Sequence, residues 1–123
     1  MSVDQLGTQI KEAIGSHGAW KLKLKTAITV GYSESAPDDV RCDEKCNFGK
    51  WLHSSAISEQ TRQGAPYRVI NRLHSEFHKC AGDVLEFATS GHPDQATQLL
   101  NGEFTQRSEK LVRGLLKWRN EVA

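Results

Sequence analysis

Residues 66–89 read PYRVINRLHSEFHKCAGDVLEFAT, and this stretch decides the fold. Ile70, Leu73, Phe77, Ala81, Val84, Leu85 and Ala88 recur at three- and four-residue intervals, the period of one helix face. Pro66 suits the first helical position, and Gly91 suits the stop. At about 100° per residue, His74 and His78 fall in the same arc as Ile70, Phe77 and Ala81, so both point inward. A buried imidazole needs partners for its nitrogens. Two histidines a turn apart can share one metal ion. Each can equally be satisfied by a carboxylate or a carbonyl.

The rest of the chain reads in the same way. Val3, Leu6, Ile10, Ile14, His17, Leu24 and Ile28 predict a first helix over about residues 3–31. Gly15 and Gly18 lie inside it, which predicts close packing there. Lys21 breaks the stripe and is expected to snorkel. Residues 32–43 form a connector rich in turn formers: Ser33, Ser35, Pro37, Asp38 and Asp39. Asp43 is placed to cap a short helix over about 44–56. Residues 60–65 read as a loop. Pro93 opens a last helix, about 93–121, with Ala96, Leu99, Leu100, Phe104, Leu111, Leu115 and Trp118 on its inner face. No strand alternation and no repeat is visible. The expectation is all-α: an antiparallel four-helix bundle with three long helices and one short one, a single domain over residues 1–123.

Composition narrows the function. Sixteen basic residues against fifteen acidic ones give a formal charge of +1 with no basic stripe, which argues against nucleic acid as a partner. No apolar run approaches the roughly 18 residues of a membrane span, so no membrane contact is expected. Met1 to Asp4 lack the features of a signal peptide, and three cysteines are an odd number for a secreted disulfide framework. A reducing cytoplasm suits such thiols better. The apolar fraction of 37% and mean hydropathy of −0.56 describe a thin core.

His17 extends the histidine pair to a cluster. It too lies within an apolar stripe, between Ile14 and Leu24. Cys46 offers a fourth donor near the start of the short helix, where amide dipoles lower a thiol's pKa. Three imidazoles and one thiolate leave no open coordination position, as in structural rather than hydrolytic zinc. Mixed nitrogen and sulfur donors suit zinc over magnesium or calcium.

Three motifs then resemble one family. Cys46-Asn47-Phe48-Gly49-Lys50-Trp51-Leu52, His17-Gly18-Ala19-Trp20-Lys21 and His74-Ser75-Glu76-Phe77-His78 are similar to the signatures of the bacterial chemoreceptor zinc-binding (CZB) domain. They follow in the family's order, with 29 residues from His17 to Cys46 and 28 from there to His74. The resemblance implies a four-helix bundle holding one Zn2+ through His17, Cys46, His74 and His78. It implies a cytoplasmic bacterial homodimer with no enzyme activity, the sensory part of a chemotaxis receptor or a diguanylate cyclase. Zinc occupancy, or oxidation of Cys46 by hypochlorous acid, would then set the output of the attached module. No such effector module is present in these 123 residues.

Neighbouring residues receive roles by position. Trp20, Phe48, Trp51 and Phe77 are expected to wall the site, and Trp118 to join the core. Cys42, four residues before Cys46, is either a plain loop thiol or a disulfide partner once Cys46 is oxidised. Cys80 reads as a small packed residue. Lys50 and His53 are expected at the surface and His92 at a helix cap. Asp39, Asp43 and Glu76 are candidates to hydrogen-bond the outer nitrogen of a ligand imidazole, and the sequence does not choose among them. A di-iron enzyme would need Glu-x-x-His pairs, and the inward stripes carry few carboxylates. A zinc ion that merely staples the bundle is the remaining alternative.

Overall fold

A computed structural model describes residues 3–122 of the chain, with the side chains of residues 3, 4 and 122 outside the description. The place of Val3 in the first stripe therefore lies outside the described residues. Every regular element among the described residues is helical, with no strand. In chain order they are α1 (Val3–Gly18), α2 (Trp20–Val30), α3 (Pro37–Arg41), α4 (Asn47–Leu52), α5 (Glu59–Gln63), α6 (Ala65–Thr89), α7 (Pro93–Leu99), a π-helical turn (Leu100–Phe104) and α8 (Thr105–Val122).

The central element is α6, as its periodicity predicts. It packs against α2, α3, α5, α7, α8 and the π-turn, while α1 packs against α8. Its buried face includes Ile70, Phe77, Ala81, Val84, Leu85 and Ala88, in one core with Ile10, Leu24, Phe104, Leu111 and Leu115 from other elements. Each such aliphatic or aromatic side chain stabilises the fold by about 1.5–3 kcal/mol on full burial. Gly91, at φ 85°, takes the left-handed conformation that ends the helix region before Pro93.

Several sequence expectations are corrected. The first helix is two, α1 and α2, joined at Ala19, where the Lys23 N–H to Ala19 carbonyl bond stretches to 3.4 Å. Gly15 and Gly18 have nothing within 4 Å of where a Cβ would stand, so they loosen this joint instead of admitting a close neighbour. The connector contains α3, opened by Pro37 with Asp38 and Asp39 in its first turn, and the loop at 60–65 contains most of α5, capped by Ser58. The short helix runs Asn47–Leu52 and its cap is Cys46, not Asp43. The last predicted helix is interrupted by the π-turn, where the Thr105 hydroxyl donates to the Leu100 carbonyl at 2.7 Å.

Candidate metal centre

Two glycines bring the connector onto the histidines. At Gly82, on α6, a Cβ would stand 2.8 Å from the Pro37 carbonyl oxygen and 2.3 Å from Cγ of Arg41, so only glycine lets α3 lie this close. Arg41 then reaches Asp83 at 2.9 Å and Glu86 at 3.2 Å along α6. This seats the Val40 carbonyl over His78. At Gly49, on α4, a Cβ would stand 1.7 Å from the Asp43 carbonyl oxygen, so the turn before Cys46 also closes only on glycine.

The outer nitrogens of two histidines are committed to backbone. Nδ1–H of His17 donates to the Ala13 carbonyl at 2.7 Å, and Nδ1–H of His78 donates to the Val40 carbonyl at 2.9 Å. Each ring is neutral with one N–H, so both Nε2 atoms carry lone pairs. They face a third: Nε2 of His74 lies 3.1 Å from that of His17 and 3.0 Å from that of His78. Sγ of Cys46 lies 3.3 Å from Nε2 of His74 and 4.0 Å from Nε2 of His17. One proton on His74 cannot satisfy both histidine lone pairs. A cation at the centre can satisfy all the donors together.

Three imidazoles and one thiol are a donor set that suits zinc, and they stand near the spacing it needs. Bonds of about 2.0–2.1 Å to nitrogen and 2.3 Å to sulfur place tetrahedral donors about 3.3–3.6 Å apart. All four donor atoms, of His17, Cys46, His74 and His78, lie within 4.8 Å of one another. The three histidines are at most 2% exposed. Burial holds His17 down at about 4 and His74 at about 2, with neighbouring histidines adding to the effect, and it lowers His78 as well. All three are therefore in the neutral, ligating form at neutral pH.

Cys46 corrects its expectation. The Gly49 N–H donates to Sγ at 3.3 Å, as a helix cap should. Burial nevertheless outweighs this bond and pushes the thiol above its ordinary value. A bound divalent ion reverses that balance by holding the sulfur deprotonated.

Aromatic rings surround the cluster, with one a step further out. Phe48 meets His17 and His74 at 5.9 and 5.1 Å, Phe77 meets His17 and His78 at 5.1 and 5.5 Å, and Trp20 meets His78 at 6.4 Å. Trp51 packs at a tilt against Phe48 at 5.7 Å and Trp118 at 6.2 Å. Phe104, expected on an inner face but carried by a π-turn that the sequence does not mark, backs Phe77 at 5.2 Å. Cys42, Cys46, His78 and Trp20 line one cavity of about 280 Å³. Cys80 is buried among apolar neighbours, which pushes its thiol up to about 12. Lys50, His53 and His92 are exposed, His92 at the cap of α7.

Residues 17–85 match the sequence profile of the chemoreceptor zinc-binding domain, more than half of the chain and all four donors. The chain belongs to that family. No curated protein and no solved structure gives a significant match. The four potential donors lie inside the matched residues, on α1, on the cap of α4 and on α6. No helix among the described residues is long and apolar enough to cross a membrane.

Proposed function

We propose that this CZB domain holds one zinc ion through His17, Cys46, His74 and His78 and acts as a sensory, non-enzymatic module. The carrying observation is the convergence of three imidazole Nε2 atoms whose outer nitrogens, in His17 and His78, are already spent on carbonyls. Bound zinc would supply a fixed thiolate at Cys46 and a cross-link between α1, α4 and α6. The whole chain is read as one antiparallel four-helix domain, with α1–α2, α6 and α7–α8 as its long members and α4 as the short one. The family's signalling role supports a cytoplasmic homodimer attached to a chemotaxis receptor or a diguanylate cyclase.

Regulation is read at the thiol. Hypochlorous acid converts the Cys46 thiolate to a sulfenic acid with release of chloride. The Cys42 thiol, lining the same cavity, then attacks that sulfur, forming the disulfide and releasing water. Loss of this ligand frees α4 to shift against α6. Metal analysis tests the site: stoichiometric zinc is expected in the wild type, and unchanged zinc in Cys46→Ala or His78→Ala overturns it. Oxidation that leaves zinc retention unaltered overturns the switch. A zinc-free form that is wholly unfolded favours a structural staple instead.

A further inference from the structure

We infer that the Asp43 carboxylate is the outer partner of His74 and positions that imidazole for the metal, an inference that rests on the zinc reading above. The three histidines are not equivalent. His17 and His78 each spend Nδ1–H on a backbone carbonyl, whereas Nδ1 of His74 is buried with no hydrogen-bond partner. His74 is also the hub of the cluster, its Nε2 within 3.3 Å of the donors of His17, His78 and Cys46. The most central ligand is thus the one without a hydrogen bond to its outer nitrogen.

A carboxylate stands just outside that bond. Oδ2 of Asp43 lies 4.0 Å from Nδ1 of His74 and 4.0 Å from Nε2 of His53. The other two acidic candidates are engaged elsewhere: Asp39 pairs with Lys45, and Glu76 accepts from Arg107 at 2.7 Å. Asp43 belongs to the same turn as Cys46. Its carbonyl is pressed against Gly49 and lies 3.9 Å from Sγ of Cys46. A pull on Cys46 toward the metal therefore also pulls on Asp43. About 1 Å of closure brings the carboxylate within hydrogen-bond range of Nδ1.

The bond would do three things. It fixes the proton of His74 on Nδ1 and so leaves Nε2 free as a lone pair. It raises the basicity of the ring toward the metal. It also couples the short α4 region to α6 by a contact that forms with metal loading. His53, which is exposed, is the other neighbour of the same oxygen at 4.0 Å, so closure on His74 would draw Asp43 from an exposed histidine to a buried one.

The experiment uses the intact chain. Zinc affinity is measured by competition with a chromophoric chelator, and the ring protons of the zinc-loaded protein are followed by NMR. Asp43→Asn is expected to weaken zinc binding about 10–100-fold. It is expected to move the Nδ1 proton of His74 alone, with those of His17 and His78 unmoved as internal controls. Asp39→Asn is expected to change neither. Unchanged affinity with an unmoved His74 proton overturns the inference, as does a shift of all three protons together, which is the mark of general disruption. The wild type carries the same test without a variant. Its His74 proton is expected furthest downfield of the three, because a charge-assisted bond is the strongest. A His74 proton in fast exchange with water overturns the inference. A wild type that holds no zinc overturns the four-ligand reading as well, whereas zinc-loaded wild type with an indifferent Asp43→Asn overturns this inference alone.

Discussion

The two halves of the donor cluster are built differently. His74 and His78 project from α6, a 25-residue helix packed on several neighbours, and they are 0% and 2% exposed. Cys46 caps α4, a six-residue helix in a stretch whose other helices, α3 and α5, have five residues each. Helices that short have no stability of their own and exist by leaning on something longer. Here α3 leans on α6 at Gly82, and the turn before α4 leans on Gly49. One half of the site is a rigid anchor. The other is an arm held by two close backbone approaches and by whatever occupies the centre. A module that changes shape when a ligand leaves should carry its changeable ligand on such an arm.

The strongest break of that comparison removes the anchor. His74→Ala is expected to abolish zinc retention, because its nitrogen is the one nearest all the others. Cys46→Ala should still take zinc from excess through three imidazoles, only more weakly. Metal analysis before and after dialysis distinguishes the two, and equal losses would erase the proposed asymmetry. Chelation of the wild type is expected to lower its Tm by on the order of 10 °C, from the several kcal/mol that a tightly bound ligand contributes by mass action. Gly49→Ala should come next. Its new methyl would meet a backbone oxygen, which cannot rotate away, so Asp43 and Glu44 must shift. A destabilisation of about 1–3 kcal/mol by denaturant unfolding is expected, together with weaker zinc binding.

What the sequence revealed divides along the same line. The anchor was legible: a long amphipathic period, a proline start and two inward histidines are all local signals. His17 was legible as a candidate because it too lay on a patterned stretch, and Cys46 because it stood near the start of a short helix. The arm was not. That α3 is a helix follows from its contact with Gly82, 41 residues beyond Arg41, and no window around Pro37 contains that partner. The true start of α4 depends on Cys46 acting as its own helix's cap. Asp43 could not be chosen over Asp39 and Glu76, because the choice rests on Lys45 and Arg107 engaging the other two. The π-turn under Phe77 has no compositional mark. The glycines that matter, Gly49 and Gly82, are those facing a distant backbone, whereas Gly15 and Gly18, conspicuous in the pattern, face open space.

Acid should loosen the zinc-free protein by way of the histidines. Burial holds His17 at about 4 and His74 at about 2, below the 6.5 of an unfolded chain. The unfolded state therefore binds protons that the folded state refuses. Stability is full above about pH 6.5 and falls below it, by up to about 1.4 kcal/mol per pH unit for each histidine, levelling for His17 near pH 4 and for His74 only near pH 2. Urea midpoints at pH 7 and pH 5 measure this, and a flat profile would mean that the imidazoles are not buried as neutral rings. Because those rings are already neutral at pH 7, zinc loading should release about one proton, from Cys46. Calorimetry in buffers of different ionisation enthalpy reads that number directly.

The smallest expected effect tests the joint that presents His17. Gly15 lies in the last part of α1, exposed, without a positive φ and with nothing within 4 Å of its missing Cβ. Gly15→Ala should therefore stabilise the protein by about 0.5–1 kcal/mol, mostly by restricting the unfolded chain. The same substitution is thus destabilising on the arm and stabilising here, and denaturant midpoints of the two variants give the sign of each. Zinc affinity sharpens the contrast. Ala19 donates its N–H to the Gly15 carbonyl at 3.2 Å, at the break between α1 and α2 and two residues beyond His17. If looseness at that joint helps His17 swing onto the metal, Gly15→Ala will gain stability while losing affinity. If His17 is already set by its bond to Ala13, affinity will not move, and the only adaptable ligand is the one on the arm.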